Sequence, residues 1–181
     1  MKKSILSLKY RNVFLIYLSP QSNVSSGTMG FFDFIFKKTT KLDNDFFGEI
    51  EFYEDWRNSL KSYFRCKRSF DHYDQLVEIA VEADLNGPSQ KQIAFFKGIE
   101  DNYSAIVEKI SSLIDDEFRQ WENSPKIEDF RAEFAPVYIQ IPKCQNKPII
   151  WEIDFESYLD KNHIITLVMS DFNAQNILID G

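Results

Sequence analysis

Apolar and polar residues alternate with period two on either side of one long stretch, from Ser89 onward, where the apolar spacing changes to steps of three and four. Phe46, Gly48, Ile50 and Phe52 alternate with Phe47, Glu49, Glu51 and Tyr53, which predicts a strand. Leu60, Ser62, Phe64 and Cys66 alternate with Lys61, Tyr63, Arg65 and Lys67, a second strand with one basic face. Asp71-His72-Tyr73-Asp74 predicts a turn, and Leu76 to Ala83 a third strand. Short polar links between the three suggest an antiparallel meander.

Asn86-Gly87-Pro88 then stops the strand pattern, and Ser89 stands three residues before Gln92 at capping-box spacing. The stripe Phe96, Ile99, Tyr103, Ile106, Ile110 and Leu113 follows, drifting to Ile114, Phe118 and Trp121. Lys97, Glu100, Asp101, Glu108, Lys109, Asp115, Asp116 and Arg119 occupy the opposite face. Asn123-Ser124-Pro125 ends the run, giving one helix of about nine turns. Gly98 inside it costs roughly 1 kcal/mol of helix propensity against Ala. The stripe suits packing on a sheet better than a coiled-coil seam, since the charges flanking it lack a regular pattern.

Residues 122–135 read as charged and irregular, and four strand-like runs close the chain: Val137 to Ile141, Pro148 to Glu156, His163 to Met169 and Ala174 to Asp180. Strands grouped on both sides of one helix predict α+β, an antiparallel sheet of about six or seven strands with the helix across one face. The length suits a single domain, placed at residues 42–181.

Residues 1–41 read as a poorly ordered basic extension. The apolar run Val13 to Leu18 is too short for a signal-peptide core or a membrane span. Met29-Gly30-Phe31 has the look of a true start, with residues 1–28 upstream of it. Phe31 to Phe36, followed by Lys37, Lys38 and Lys41, reads as a segment docking on its own domain, or alternatively as a membrane-surface anchor.

Seventeen Phe, eight Tyr and three Trp promise an aromatic core large enough to need no crosslinks, and Cys66 and Cys144 form no motif, which fits free thiols in the cytoplasm. The net charge of −7 is uneven: residues 1–41 carry seven bases and one acid, and the remainder fourteen bases and twenty-seven acids. Such a body repels nucleic-acid phosphates and favours a basic protein partner.

No phosphate-binding glycine loop, nucleophile elbow or metal-ligand spacing occurs, so no catalytic residue, metal or cofactor is expected. His72 and His163 lie far apart; the Asp71–Asp74 cluster is explained as a turn, and His163 as a surface or cap residue. Glu152, Asp154 and Glu156 are the candidate contact row: they share one face of their strand, about 7 Å apart in succession. Glu49, Glu51, Glu78 and Glu82 would join them if their strands turn the same face outward. The structural alternative is a solvated face, with Lys61, Arg65 and Lys67 as cross-strand partners. A paired-carboxylate hydrolase would need a desolvated acid, for which the sequence offers no sign.

Phe46-Phe47-Gly48-Glu49, Gly87-Pro88-Ser89 before Phe95-Phe96, and the closing Ile177-Leu178-Ile179-Asp180-Gly181 resemble small bacterial domains of unknown function, some of the immunity or toxin-neighbourhood kind. The resemblance spans roughly residues 29–181 and carries no catalytic residues with it. It implies a non-enzymatic protein-binding domain, in its most concrete form an immunity-type protein that neutralises a basic toxin or nuclease through an acidic sheet face. Two alternatives stand beside it: a small-ligand binder or enzyme with a pocket near His72 or His163, and a membrane-surface protein held by Phe31–Phe36.

Overall fold

The computed structural model describes residues 36–55, 57–58, 61–119, 127–158 and 163–180, all within one compact unit, Phe31–Gly181. Residues 1–35, with the proposed start at Met29 and the Phe31 to Ile35 part of the membrane-anchor segment, lie outside the described residues, as do Trp121 and the expected helix stop at residues 123–125.

Eight strands form one sheet in chain order: β1 (Phe36–Asn44), β2 (Gly48–Asp55), β3 (Tyr63–Phe70), β4 (Tyr73–Glu82), β5 (Phe134–Ile141), β6 (Ile150–Ser157), β7 (Ile164–Ser170) and β8 (Asn173–Asp180). The long helix α1 (Gln90–Phe118) joins β4 to β5, and a single turn, α2 (Phe130–Glu133), precedes β5. The class is α+β, with one strand more than expected. The additional strand, β1, opens inside the stretch expected to precede the domain. Its sequence, FKKTTKLDN, has no apolar alternation to announce it. It is joined to the sheet by main-chain pairing with β2, from Phe36↔Asp55 to Asn44↔Gly48.

Two four-stranded antiparallel meanders, β1–β4 and β5–β8, meet at a parallel β4–β5 pair in the register Glu78↔Tyr138 to Val81↔Ile141. This corrects the expectation of an antiparallel sheet throughout. A strand followed by a long helix cannot return as a hairpin neighbour. It returns by a crossover, and a crossover delivers a parallel strand.

The start of α1 is held as expected. The Ser89 side chain accepts from the Gln92 N–H, and the Gln92 side chain accepts from the Ser89 N–H at 2.9 Å. Phe96, Ile99, Tyr103, Ile106, Ile110, Ile114 and Phe118 are buried, and α1 packs on the sheet. Two positions depart from the expected stripe. Leu113 is 42% exposed, because Ile114 takes its place on the buried side. Glu100, assigned to the solvated face, is buried beside Arg68 and the β3–β4 turn. Gly98 has a packing reason: a Cβ there would stand 3.2 Å from the Phe172 ring, which itself stacks on Phe95.

Both flanks of the sheet reach the helix. Phe46, in the β1–β2 turn, lies edge-on to Phe96 at 6.0 Å, and Lys109 donates to Asn173 at the start of β8 at 2.8 Å. The face toward α1 carries Val77, Ile79, Ile139, Trp151, Ile153, Phe155 and Leu167, all at most 1% exposed. Burying one such side chain contributes about 1.5–3 kcal/mol. The other face carries the alternate residues, and the acids lie there.

Candidate functional site

Alternation places Glu49 and Glu51 of β2, Glu78 and Glu82 of β4, and Glu152, Asp154 and Glu156 of β6 on the face away from α1. The condition for joining the acids into one set is therefore met. They do not form a uniform solvated row. Glu156 is exposed, whereas Glu152 and Asp154 are each only 5% exposed.

The cause lies in what each strand has beside it. On β2, Lys41 pairs with Glu49 at 2.6 Å and with Glu51 at 3.4 Å. On β4, Glu78 receives Arg65 at 3.5 Å. Of the expected cross-strand bases, Arg65 serves β4, while β2 is served by Lys41 of β1. β6 lies between β5 and β7, where the residues opposite Glu152 are Gln140 and Val168, and those opposite Asp154 are Tyr138 and Thr166. None of these four carries a cation.

Glu152, Gln140 and Glu82 form a group at the end of the crossover. Gln140 stands opposite Glu152 across β5–β6 and donates from Nε2 to Glu82 Oε1 at 2.8 Å. Burial raises the Glu152 carboxyl from 4.5 to about 7, and the nearby Glu82 charge adds to the rise. Burial also pushes the Glu82 carboxyl up, against the opposing pull of the Gln140 amide and Lys143. No hydrogen bond or ion pair to the Glu152 carboxylate forms among the described residues.

The loop after β5 closes one side. Cys144 has φ 53°, its Sγ lies 3.2 Å from the Pro142 carbonyl, and burial pushes its thiol up to about 11. At that value the thiol stays protonated and is not an activated nucleophile. Gln92 of α1 braces the same end from the other face, donating to the carbonyls of Glu82 at 2.8 Å and Pro142 at 2.9 Å.

The two histidines stand elsewhere. His72 occupies the two-residue β3–β4 turn, stacks on Tyr103 at 4.9 Å and donates from Nε2 to the Glu100 carbonyl at 2.8 Å. Its contacts attach the turn to α1. Tyr103 in turn donates to the Tyr73 hydroxyl at 3.2 Å. His163 is half-buried just before β7. Among the described residues, no group of three His, Cys, Asp or Glu side chains could hold a metal ion, and no helix is long and apolar enough to cross a membrane.

Glu82 and Gln140 were not singled out as a pair by the sequence. The available signal was topological. A strand ending at Glu82, a helix and a returning strand suggest a parallel pair, and that pair is what brings Gln140 within reach of Glu82. No protein-family model matches the chain, and no curated protein or solved structure is significantly similar to it.

Proposed function

We propose that the chain is a protein-binding domain that takes a basic partner on the sheet face opposite α1, without chemistry of its own. An immunity-type protein neutralising a basic toxin is the most concrete form of this role. The observation that supports it is Glu152: a carboxylate 5% exposed, beside a second carboxylate and without a hydrogen-bonded donor among the described residues. Placing a carboxylate in such surroundings is costly, and an approaching cation offsets the cost. The acidic balance of residues 42–181 favours the same class of partner. The contact row is then uneven. Glu156 is its solvent-facing member, and Glu152 and Asp154 lie deeper.

The reading is tested with the immobilised full chain, challenged with cell lysate at low and high salt, beside a Glu156→Lys variant. Support is the capture of a protein of high isoelectric point, released by salt and held less well by the variant. Capture insensitive to both salt and charge reversal, or no capture of a basic protein, removes the reading.

A further inference from the structure

We infer that Glu82 and Glu152 form the acceptor end of a site for one organic cation, the ammonium or guanidinium of a lysine or arginine side chain on the basic partner; this deepens the proposed protein-binding role and rests on it. Three observations converge on the site. Glu82 is held in place by the Gln140 amide at 2.8 Å, so one acceptor is already oriented. Glu152, directly opposite Gln140, is 5% exposed and has no donor among the described residues, so the second acceptor is unfilled. Glu82, Gln140, Lys143 and Val168 are only partly buried, which leaves the pair approachable from their side.

The chemistry of the two acceptors selects the class of cation. Calcium takes six to eight oxygens and magnesium a near-ideal octahedron. The described residues offer no group of three acidic, His or Cys side chains for either. An ammonium carries three donors and a guanidinium five, and either can be shared between two carboxylates. Among the described residues, Lys143 after β5 acts on Glu82, and Asp154 lies two positions from Glu152 on the same face of β6. The residue facing Glu152 from β7 is Val168. A long basic side chain can bury its apolar stem while its head meets the carboxylates.

The test follows the side-chain carboxyl carbon of Glu152 by NMR in the full chain, titrated with pH in the presence of n-butylammonium or ethylguanidinium chloride, against equal sodium chloride. Either probe is expected to lower the Glu152 midpoint by about one unit, a tenfold preference for the ionised form. Glu82→Gln should abolish this response. Glu152→Gln, close in shape to the parent, supplies the fold control through its thermal melt. A midpoint that neither probe moves beyond the sodium control overturns the site. Calcium chloride moving it where the probes do nothing overturns the organic-cation assignment. Partner capture that survives both Gln variants overturns the anchor while the binding role stands. Failure of the parent chain to capture any basic protein overturns that role, and this inference with it, whatever the probes do.

Discussion

The Gln92 side-chain amide donates to the main-chain carbonyl of Glu82 at 2.8 Å while its oxygen accepts from the Ser89 N–H, so one residue both caps α1 and ties it to the end of β4. Its second amide hydrogen bond, to Pro142 at 2.9 Å, ties in the end of β5. Gln92 is 2% exposed, so water cannot readily replace these bonds. Gln92→Ala leaves the two carbonyls without their donor and removes half of the capping box. A loss of about 2–4 kcal/mol is expected in urea denaturation. Gln92→Glu keeps the cap acceptor but sets a carboxylate against two carbonyl oxygens. It should be the worse variant at pH 7 and recover toward pH 4, where the new carboxyl is protonated. A Gln92→Glu variant as stable as the parent at both pH values, with Gln92→Ala still destabilised, would show that capping, not the brace, is what Gln92 contributes.

Arg68 and Glu100 offer a second test, because burial makes their pairing consequential. Their charged groups approach to 3.9 Å, and the guanidinium also lies 4.1 Å from the centre of the Phe46 ring and donates to the Phe46 carbonyl. Burial raises the Glu100 carboxyl, with Arg68 pulling the other way. Arg68→Met keeps much of the packing over Phe46 and leaves the carboxylate without its counter-charge. A loss of about 3 kcal/mol or more at pH 7 is expected. Adding Glu100→Met should restore most of it. If the double variant is no more stable than Arg68→Met alone, the loss comes from the Phe46 contacts and not from the stranded charge.

These residues also show how much of the fold was legible and where legibility ended. The cap at Ser89 and Gln92 was readable because a capping box is local, and so was the apolar stripe from Phe96 to Ile110. Strand faces such as Trp151, Ile153 and Phe155 followed from period-two alternation and lie in the core. β1 escaped because a sheet's main-chain pairing leaves no mark on a polar sequence such as FKKTTKLDN. Glu100 escaped because burial of a charge depends on the partner that arrives, here Arg68 from a strand 32 positions away in sequence. The burial of Glu152 was hidden for a related reason. An acid alternating with Trp151 and Ile153 reads as solvated unless the neighbouring strands are known to bring Gln140 and Val168 beside it. Those neighbours are set by the registers of the antiparallel β5–β6 and β6–β7 pairs, which period-two alternation does not fix, and only the parallel β4–β5 crossover brings Glu82 up to Gln140.

The same neighbours give Glu152 a distinct pH signature. Its carboxyl is raised in the folded state from 4.5 to about 7, first by burial and then by the Glu82 charge. A raised folded value means that the folded chain favours the protonated form. The contribution is therefore fully present below pH 4.5 and is lost as pH rises through about 7. The size of the shift sets an upper bound of about 3 kcal/mol on that loss. Glu152→Gln mimics the protonated side chain at every pH. It should match the parent near pH 4 and exceed it by about 1–3 kcal/mol at pH 8 in urea denaturation. The comparison isolates this residue, because Glu82 and Glu100, also raised by burial, titrate in both chains. A pH-independent difference would assign the effect of the substitution to packing, and a parent more stable than the variant at pH 8 would mean that the ionised carboxylate already has a cation beside it.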